Sequence, residues 1–376
     1  MRTETTIAAE LTPPGSGAIT VIGLHGPRAW EIVRSLFATA SELPPEMPKP
    51  GAMRLGRFGS GEMWDEVVLT VRPGPPPNWL EIQAHGGRIN VDWMLELLEQ
   101  HGATRCRWNE FLRQTEPRWR AFAAEQLADA GTERTAAILL DQWNGAFDNA
   151  LAEIRTLLQA GDIAAARAQL QQLLDLARFG EHLTKPWRVA IIGPPNVGKS
   201  SLINALAGFQ RSIVAPLPGT TRDLVTVAAA FEGWAVELID TAGLHAAAAG
   251  LEQAGTKLAR SAIESSDLCI WVFDASSASP VWPEPDIAAK RPLWVVNKTD
   301  LAPAWKIDDV PDAVHVSAQT RSGIAGLGAR ISQRLVPAAP AAGTAVPFCS
   351  ACVEYLRQLV ALVETGDRSL AVELLG

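Results

Sequence analysis

Cysteine is scarce in this chain of 376 residues: Cys106, Cys269, Cys349 and Cys352 are the only four. So few scattered thiols exclude the disulfide framework of a small secreted scaffold. Cys349 and Cys352 form a C-x-x-C, but no second pair and no neighbouring histidine accompanies them. The spacing therefore reads as two small buried residues at the start of a helix, not as a zinc or redox site. Long apolar runs are also missing. No stretch of about 18 uninterrupted apolar residues occurs, and Met1 to Glu10 carries polar and acidic residues where a signal peptide needs an apolar core. A soluble cytoplasmic protein with no membrane span is expected. Basic residues are outnumbered, 33 Lys and Arg against 41 Asp and Glu, for a net charge of -8. Such a chain lacks the broad positive field of a nonspecific DNA binder, so DNA is excluded as a partner and any RNA must meet a local basic patch or a second protein.

Proline-rich breaks at 44–50, 73–77, 280–292 and 337–347 separate segments of different hydrophobic period. Residues 1–115 alternate short β-type runs (Ala18–Leu24, Val67–Val71, Leu80–Ala84) with one amphipathic helix, Val91 to Glu99, and read as an α+β module. Residues 116–184 switch to helical spacing: Leu140, Trp143, Phe147, Leu151, Ile154 and Leu158, then Leu170, Leu173 and Leu174. Two antiparallel helices broken at Gly161–Asp162 are expected there. Residues 185–337 alternate strand and helix, which implies a mostly parallel sheet with helices on both faces. Residues 338–376 return to helical periodicity and form the last, C-terminal helical piece.

The chemistry is concentrated in the third segment. Strand Arg188–Ile192 runs into Gly193-Pro-Pro-Asn-Val-Gly198-Lys199-Ser200, which fits G-x-x-x-x-G-K-[ST] and opens a helix. In such a loop the backbone of Asn196, Val197, Gly198 and Ser201 wraps phosphate, Lys199 reaches the β- and γ-phosphates, and Ser200 offers its hydroxyl to Mg²⁺. Thr221, in Pro218-Gly-Thr-Thr-Arg-Asp223, can complete the Mg²⁺ shell and sense the γ-phosphate. Asp240-Thr-Ala-Gly243 ends an apolar strand, with a carboxylate near the metal and a glycine N–H near the γ-phosphate. Asn297-Lys298-Thr299-Asp300 and Ser317-Ala318 end later strands. Guanine presents two adjacent donors, N1–H and the 2-amino group, which the one carboxylate of Asp300 can accept together; adenine does not satisfy it. Five motifs in this order identify a GTP- or GDP-binding α/β P-loop domain. Asn196 has two readings: its amide oxygen ligates a monovalent cation near the β/γ bridge, or it only shapes the loop.

The whole arrangement resembles the MnmE (TrmE) tRNA-modification GTPases. Besides the motifs above, Thr12-Pro-Pro-Gly-Ser-Gly17 looks like that family's T-P-P-G-R-G, Glu81-Ile-Gln-Ala-His85-Gly86-Gly87 matches E-x-x-x-H-G-G, and Leu127-Ala-Asp-Ala with Asn144-Gly-Ala-Phe resembles its first helical segment. Asp240-Thr-Ala-Gly-Leu244 with Glu252-Gln-Ala-Gly255 resembles its switch II. The resemblance implies a folate-binding N-terminal module that dimerises, with Glu81 and His85 at the folate, and a helical domain interrupted by the G domain. It implies K⁺ held by Asn196, Thr220 and carbonyls of 215–217, and Glu252 as the catalytic residue positioning water. It further implies modification of the tRNA wobble uridine with a flavin-dependent MnmG-type partner. Three departures accompany it: Ser16 replaces the family's arginine, Pro75-Pro-Pro-Asn-Trp79 replaces T-G-E-D, and Leu374-Leu375-Gly376 stands where the family continues to F-C-I-G-K, so a shortened member is expected.

Three functions follow: the GTPase component of wobble-uridine modification; a GTP-driven switch or RNA/ribosome assembly factor that has lost the modification chemistry; and a dimeric scaffold with vestigial turnover. All rest on guanine specificity. Replacing Asp300 with Asn turns an acceptor into a donor facing the guanine N1–H, which costs about 1–3 kcal/mol, or roughly 5- to 150-fold in GTP affinity. Xanthine, with a carbonyl at position 2, is expected to bind Asp300→Asn better than guanine in a calorimetric comparison. Equal affinity of the unmodified protein for ATP and GTP would refute the assignment.

Overall fold

A computed structural model describes residues 5–13, 15, 17–40, 42–74, 79–209, 226–240 and 260–375. They fall into two units, Met1–Glu125 and Gln126–Gly376. The first is built on a seven-stranded sheet of order β3-β4-β5-β6-β2-β1-β7. Its strands are β1 (Ile7–Glu10), β2 (Ile19–His25), β3 (Phe37–Ala38), β4 (Met53–Ser60), β5 (Met63–Arg72), β6 (Trp79–His85) and β7 (Thr104–Arg105). All neighbours are antiparallel except β1 with β7. Helices α1 (Ala29–Leu36) and α2 (Arg88–Gln100) belong to a core with Ile22, Leu24, Leu69, Leu80 and Ile82 of the sheet. Helix α3 (Trp108–Thr115) sends Phe111 into a second cluster with Ile7, Ala9 and Trp79. Gly23 permits this approach, because a Cβ there would lie 2.6 Å from the Phe111 ring.

Sequence periodicity underestimated this unit: α1, α3, β1 and β4 accompany the runs it did identify. Helix α1 is only eight residues long, shorter than the window over which periodicity is read, although its buried Ala29, Trp30, Ile32, Val33 and Leu36 do fall at helical spacing.

From Arg118 to Glu181 the chain is helical, but with five helices where two were expected: α4 (Arg118–Ala128), α5 (Glu133–Trp143), α6 (Ala146–Ala160), α7 (Ile163–Asp175) and α8 (Ala177–Glu181). Local chemistry makes the extra breaks. Thr132 caps α5 by accepting the Thr135 N–H at 3.2 Å, and Gly145 takes a left-handed φ of 99° between α5 and α6. The expected break at Gly161–Asp162 is present, with Asp162 capping α7. Leu140, expected in the buried stripe, is 46% exposed; Gln142 is the buried residue two positions on. Helices α12 (Ser350–Glu364) and α13 (Arg368–Leu374) pack back on α7 and α6 respectively.

The second sheet has order β13-β12-β11-β8-β10-β9, parallel throughout except for β9. Its strands are β8 (Trp187–Ile192), β9 (Thr226–Phe231), β10 (Trp234–Asp240), β11 (Leu268–Asp274), β12 (Leu293–Asn297) and β13 (Val314–His315). One core joins Val189, Ile191, Leu238 and Val272 to Leu202 and Leu206 of α9 (Lys199–Phe209) and Leu327 and Ile331 of α11 (Ile324–Leu335). Another cluster joins Ala190, Ile192, Trp271, Phe273 and Val296; α10 (Pro285–Ala289) supplies partly buried Ile287 to it. Burial on both faces is why β8 and β11 read as nearly continuous apolar runs. Because β8 lies between β10 and β11, the crevice for a ligand opens beyond the carboxyl ends of these strands.

Asp267, just before β11, fastens α8 to this sheet. Its carboxylate accepts the Arg188 N–H at 2.8 Å and Arg178 Nη2 at 3.1 Å, with His182 Nε2 at 3.3 Å and the His182 ring stacked on Trp187. Burial pushes the Asp267 carboxyl up, but the bonds from His182, Arg188 and Arg178 outweigh it and hold the group at about 2. The folded value lies below the unfolded one, so this stabilisation is complete above about pH 4 and is lost as pH falls through about 2. After allowance for solvent screening of a half-buried group it amounts to about 1–2 kcal/mol. Asp267→Asn is therefore expected to lower the melting temperature at pH 7, with the gap to the unmodified protein roughly halved by about pH 3. Calorimetry at both pH values checks this; an equal gap at each would show that charge is not the cause.

Candidate nucleotide-binding site

The loop after β8 must bring several N–H groups to one point, which requires backbone without side chains in two places. Gly193 and Gly198 have φ of 153° and 92°. A Cβ on Gly193 would stand 2.6 Å from the Val272 carbonyl, and one on Gly198 2.5 Å from Asn297 Nδ2. The loop closes on Lys199, whose Nζ donates to the carbonyls of Gly193 at 2.9 Å and Pro194 at 2.8 Å. Lys199 is buried, and that burial lowers its pKa against the opposing pull of Asp240. A cation held this way is already aimed, and a phosphate oxygen can replace a carbonyl without rearranging the loop. Ser200 and Ser201 lie exposed in the first turn of α9.

Asp240 ends β10 opposite Ile191 of β8. Its Oδ2 accepts the Ser200 hydroxyl at 2.6 Å. A hydroxyl and a carboxylate in contact beside the phosphate loop are the oxygen donors that Mg²⁺ takes along with water and phosphate, so these residues fit the ion. The other expected members of this edge, Thr220, Thr221, Gly243 and Glu252, lie outside the described residues, as does the 215–217 loop.

Asn297 ends β12 and is fully buried. Its Nδ2 donates to Val197 O at 2.9 Å, and its Oδ1 accepts the Ala318 N–H at 3.0 Å. Ser317, also buried, accepts the Thr320 N–H through Oγ, fixing the loop that carries Ala318. Lys298 takes a left-handed φ of 64° and donates to the Asn196 carbonyl at 2.8 Å. Asp300 follows, exposed, two residues along. The structure thus brings Val197, Gly198, Lys199, Ser200, Asp240, Asn297, Lys298, Ser317 and Ala318 to one edge of one sheet.

Sequence reasoning missed one member. Asp274, the last residue of β11, places Oδ2 2.6 Å from Lys298 Nζ, while its Oδ1 accepts both N–H and O–H of Ser276 and its carbonyl accepts the Trp305 indole N–H. Burial works against its charge, but the Lys298 and Ser276 bonds outweigh that and hold its carboxyl below the usual range. An aspartate ending an otherwise apolar strand was the available signal.

Glu81 and His85 are in the first unit and are engaged there. Glu81 pairs with Arg72 at 3.4 Å. Exposed His85 sets Nδ1 2.6 Å from Asp65, which raises its pKa. Neither lines the nearby cavity of about 270 Å³, which is bounded by Glu10, Thr12, Gly17, Thr20, Gly87 and Arg88.

Comparison with known proteins agrees with both parts. Residues 6–122 match the family model described as GTP-binding protein TrmE N-terminus, and residues 188–298 match that of 50S ribosome-binding GTPase. Among relatives named tRNA modification GTPase MnmE, that of Akkermansia muciniphila is 33% identical over 81% of this chain and 75% of its own length. That of Alkalilimnicola ehrlichii is 33% identical over 86% and 80%, and that of Hydrogenovibrio crunogenus 29% over 98% and 89%.

Asp274→Asn removes the charge that holds Lys298 against the phosphate loop. Hydrogen bonds to charged groups contribute about 1.5–3 kcal/mol, and the partial exposure of Lys298 sets the low end, roughly tenfold in affinity. GTP and GDP are expected to dissociate about tenfold faster, read by displacement of a fluorescent guanine nucleotide. An unchanged rate would show that the ion pair only packs the strand end.

Proposed function

Because the chain belongs to the MnmE family of tRNA-modification GTPases, we propose that it spends GTP on modification of the tRNA wobble uridine, as a cytoplasmic homodimer working with a flavin-dependent MnmG-type partner. The observation that carries the GTP chemistry is the junction of Lys199, Asp240, Asn297 and Lys298 on the carboxyl edge of one sheet. Family membership favours this reading over the GTP-driven switch and the scaffold. The division at residues 115, 184 and 337 into an N-terminal module, a G domain and two flanking helical pieces belongs to the same proposal. Among the described residues no helix is long and apolar enough to cross a membrane.

In this reading the phosphate loop and α9 bind the triphosphate, Ser200, Thr221 and Asp240 hold Mg²⁺, and Asp300 reads guanine. Leu244 stands where other GTPases carry a water-orienting glutamine, and Glu252, which the likeness to the family's switch II singles out, takes that role. K⁺ would offset charge on the β/γ bridging oxygen, held by Asn196 and Thr220. In support, Asn196 is exposed at the mouth of the loop with its backbone fixed by Lys298, and among the described residues no partner holds its side-chain amide.

Folate fits less well. Among the described residues Arg88 is the one cation lining the cavity, and its guanidinium is taken by Asp92 at 2.7 and 2.8 Å and Glu10 at 3.5 Å. Ser16 offers no second charged fork. We infer that formyl-folate binding is weak or absent, and no step is routed through it.

The proposal is tested by single-turnover hydrolysis in KCl and in NaCl at equal ionic strength. Lys199→Ala is expected to lose triphosphate binding. Glu252→Ala should keep binding while slowing hydrolysis ~10²–10⁴-fold, and Asn196→Ala should lose the K⁺ stimulation. Identical rates in the two salts would remove the cation. Wobble-uridine analysis in a host lacking its own family member then reads the modification, which the unmodified chain restores and Lys199→Ala does not.

A further inference from the structure

Cys349 and Cys352 take no part in the nucleotide chemistry, yet they are placed with more precision than packing alone needs. Cys349 is the N-cap of α12, in extended conformation (φ -152°, ψ 165°), and Cys352 lies three residues on in the first turn. Their sulfurs are 3.4 Å apart. Cys349 is partly exposed and Cys352 is fully buried. None of the four described cysteines is in a disulfide. Among the described residues no group of three or more His, Cys, Asp or Glu stands ready for a metal, so zinc does not account for the pair.

The backbone that presents Cys349 is fixed from both sides. The buried Gln142 of α5 donates to the Thr344 carbonyl at 3.0 Å and accepts the Val346 N–H at 3.1 Å. Phe348, buried beside Cys349, meets the Phe147 ring edge-on at 5.8 Å. The first turn of α12 holds Cys352 through its N–H, which donates to the Cys349 carbonyl at 3.1 Å. A disulfide sets its sulfurs ~2.05 Å apart, so closing the pair needs about 1.4 Å of approach by side-chain rotation.

We propose that Cys349 and Cys352 form a reversible dithiol–disulfide couple whose oxidant is a low-molecular-weight disulfide, with Cys349 as the attacking thiol and Cys352 as the resolving one. Roles follow from position. Cys349 stands partly exposed at the N-terminus of a fifteen-residue helix, where a small disulfide can reach it. Burial, and then the neighbouring Cys349, push the Cys352 thiol up, so Cys352 keeps its proton beside Cys349 Sγ. In the first step the Cys349 thiolate attacks one sulfur of the small disulfide, forming a mixed disulfide and expelling one thiolate. Cys352 then gives up its proton and attacks Cys349 Sγ, forming the internal S–S bond and expelling the second thiolate. The protein dithiol loses two electrons and two protons, and the small disulfide gains both as two thiols.

The test treats the folded full chain with glutathione disulfide at pH 7 and maps thiols by peptide mass spectrometry over time. An internal Cys349–Cys352 bond is expected at least ~10-fold faster than any adduct on Cys106, whose thiol burial pushes up to about 11, or on buried Cys269. Cys352→Ser should trap glutathione on Cys349, and Cys349→Ser should leave Cys352 unmodified; addition of a reducing dithiol should restore the starting mass of the unmodified chain. The proposal is overturned if the pair stays reduced while Cys106 reacts, or if a glutathione adduct persists on Cys349 of the unmodified chain without the internal bond.

Discussion

One buried side chain, Asn297, sets the register of the nucleotide site. It spends its donor on Val197 of the loop after β8 and its acceptor on Ala318 after β13. Only a side chain with a donor and an acceptor on one short planar group can join two backbone segments this way, which excludes aspartate, leucine and serine. Leaving either partner unpaired in a site this buried costs about 1–3 kcal/mol. The loops that end β12 and β13 and the loop after β8 are thereby joined, although about a hundred residues separate Asn297 from Val197 in the chain.

Charge is arranged around that junction in alternating order. Lys199 is held by carbonyls, Asp240 by a hydroxyl, and Lys298 by both a carbonyl and the carboxylate of Asp274. Each group is oriented before nucleotide arrives, so binding needs little reorganisation, and that is where such a site gains both affinity and rate. Asp274 extends this ordering into the tryptophan-rich side of the sheet, because its carbonyl takes the Trp305 indole and Trp305 packs on Phe273.

The nucleotide site was legible in the sequence because its chemistry is backbone chemistry. Gly193 and Gly198 are demanded by conformation and by atoms 2.5 to 2.6 Å from where a Cβ would stand, and such demands leave local patterns. The parallel sheet was legible for a similar reason, since strands buried on both faces read as apolar runs. Asp274 was not, because its partner lies 24 residues away and no spacing rule links them. The five-helix segment was misread as two because Thr132 and Gly145 act by capping, a signal weaker than the stripe around them. Helix α11 did carry a pattern, Ile324, Leu327, Ile331 and Leu335, that periodicity alone would have caught. Glu81 and His85 matched a family pattern, yet their side chains are paired with Arg72 and Asp65 and neither lines the cavity.

The claim that Asn297 joins the base and phosphate ends is tested most directly by two competitors of a fluorescent guanine nucleotide on Asn297→Ala. Guanosine senses only the base end and inorganic triphosphate only the phosphate end. The account predicts that both weaken, each by roughly tenfold, since each end loses a hydrogen bond made to the buried Asn297 side chain. Loss of guanosine binding with triphosphate affinity unchanged would contradict it, and would make Asn297 a residue of the base site alone.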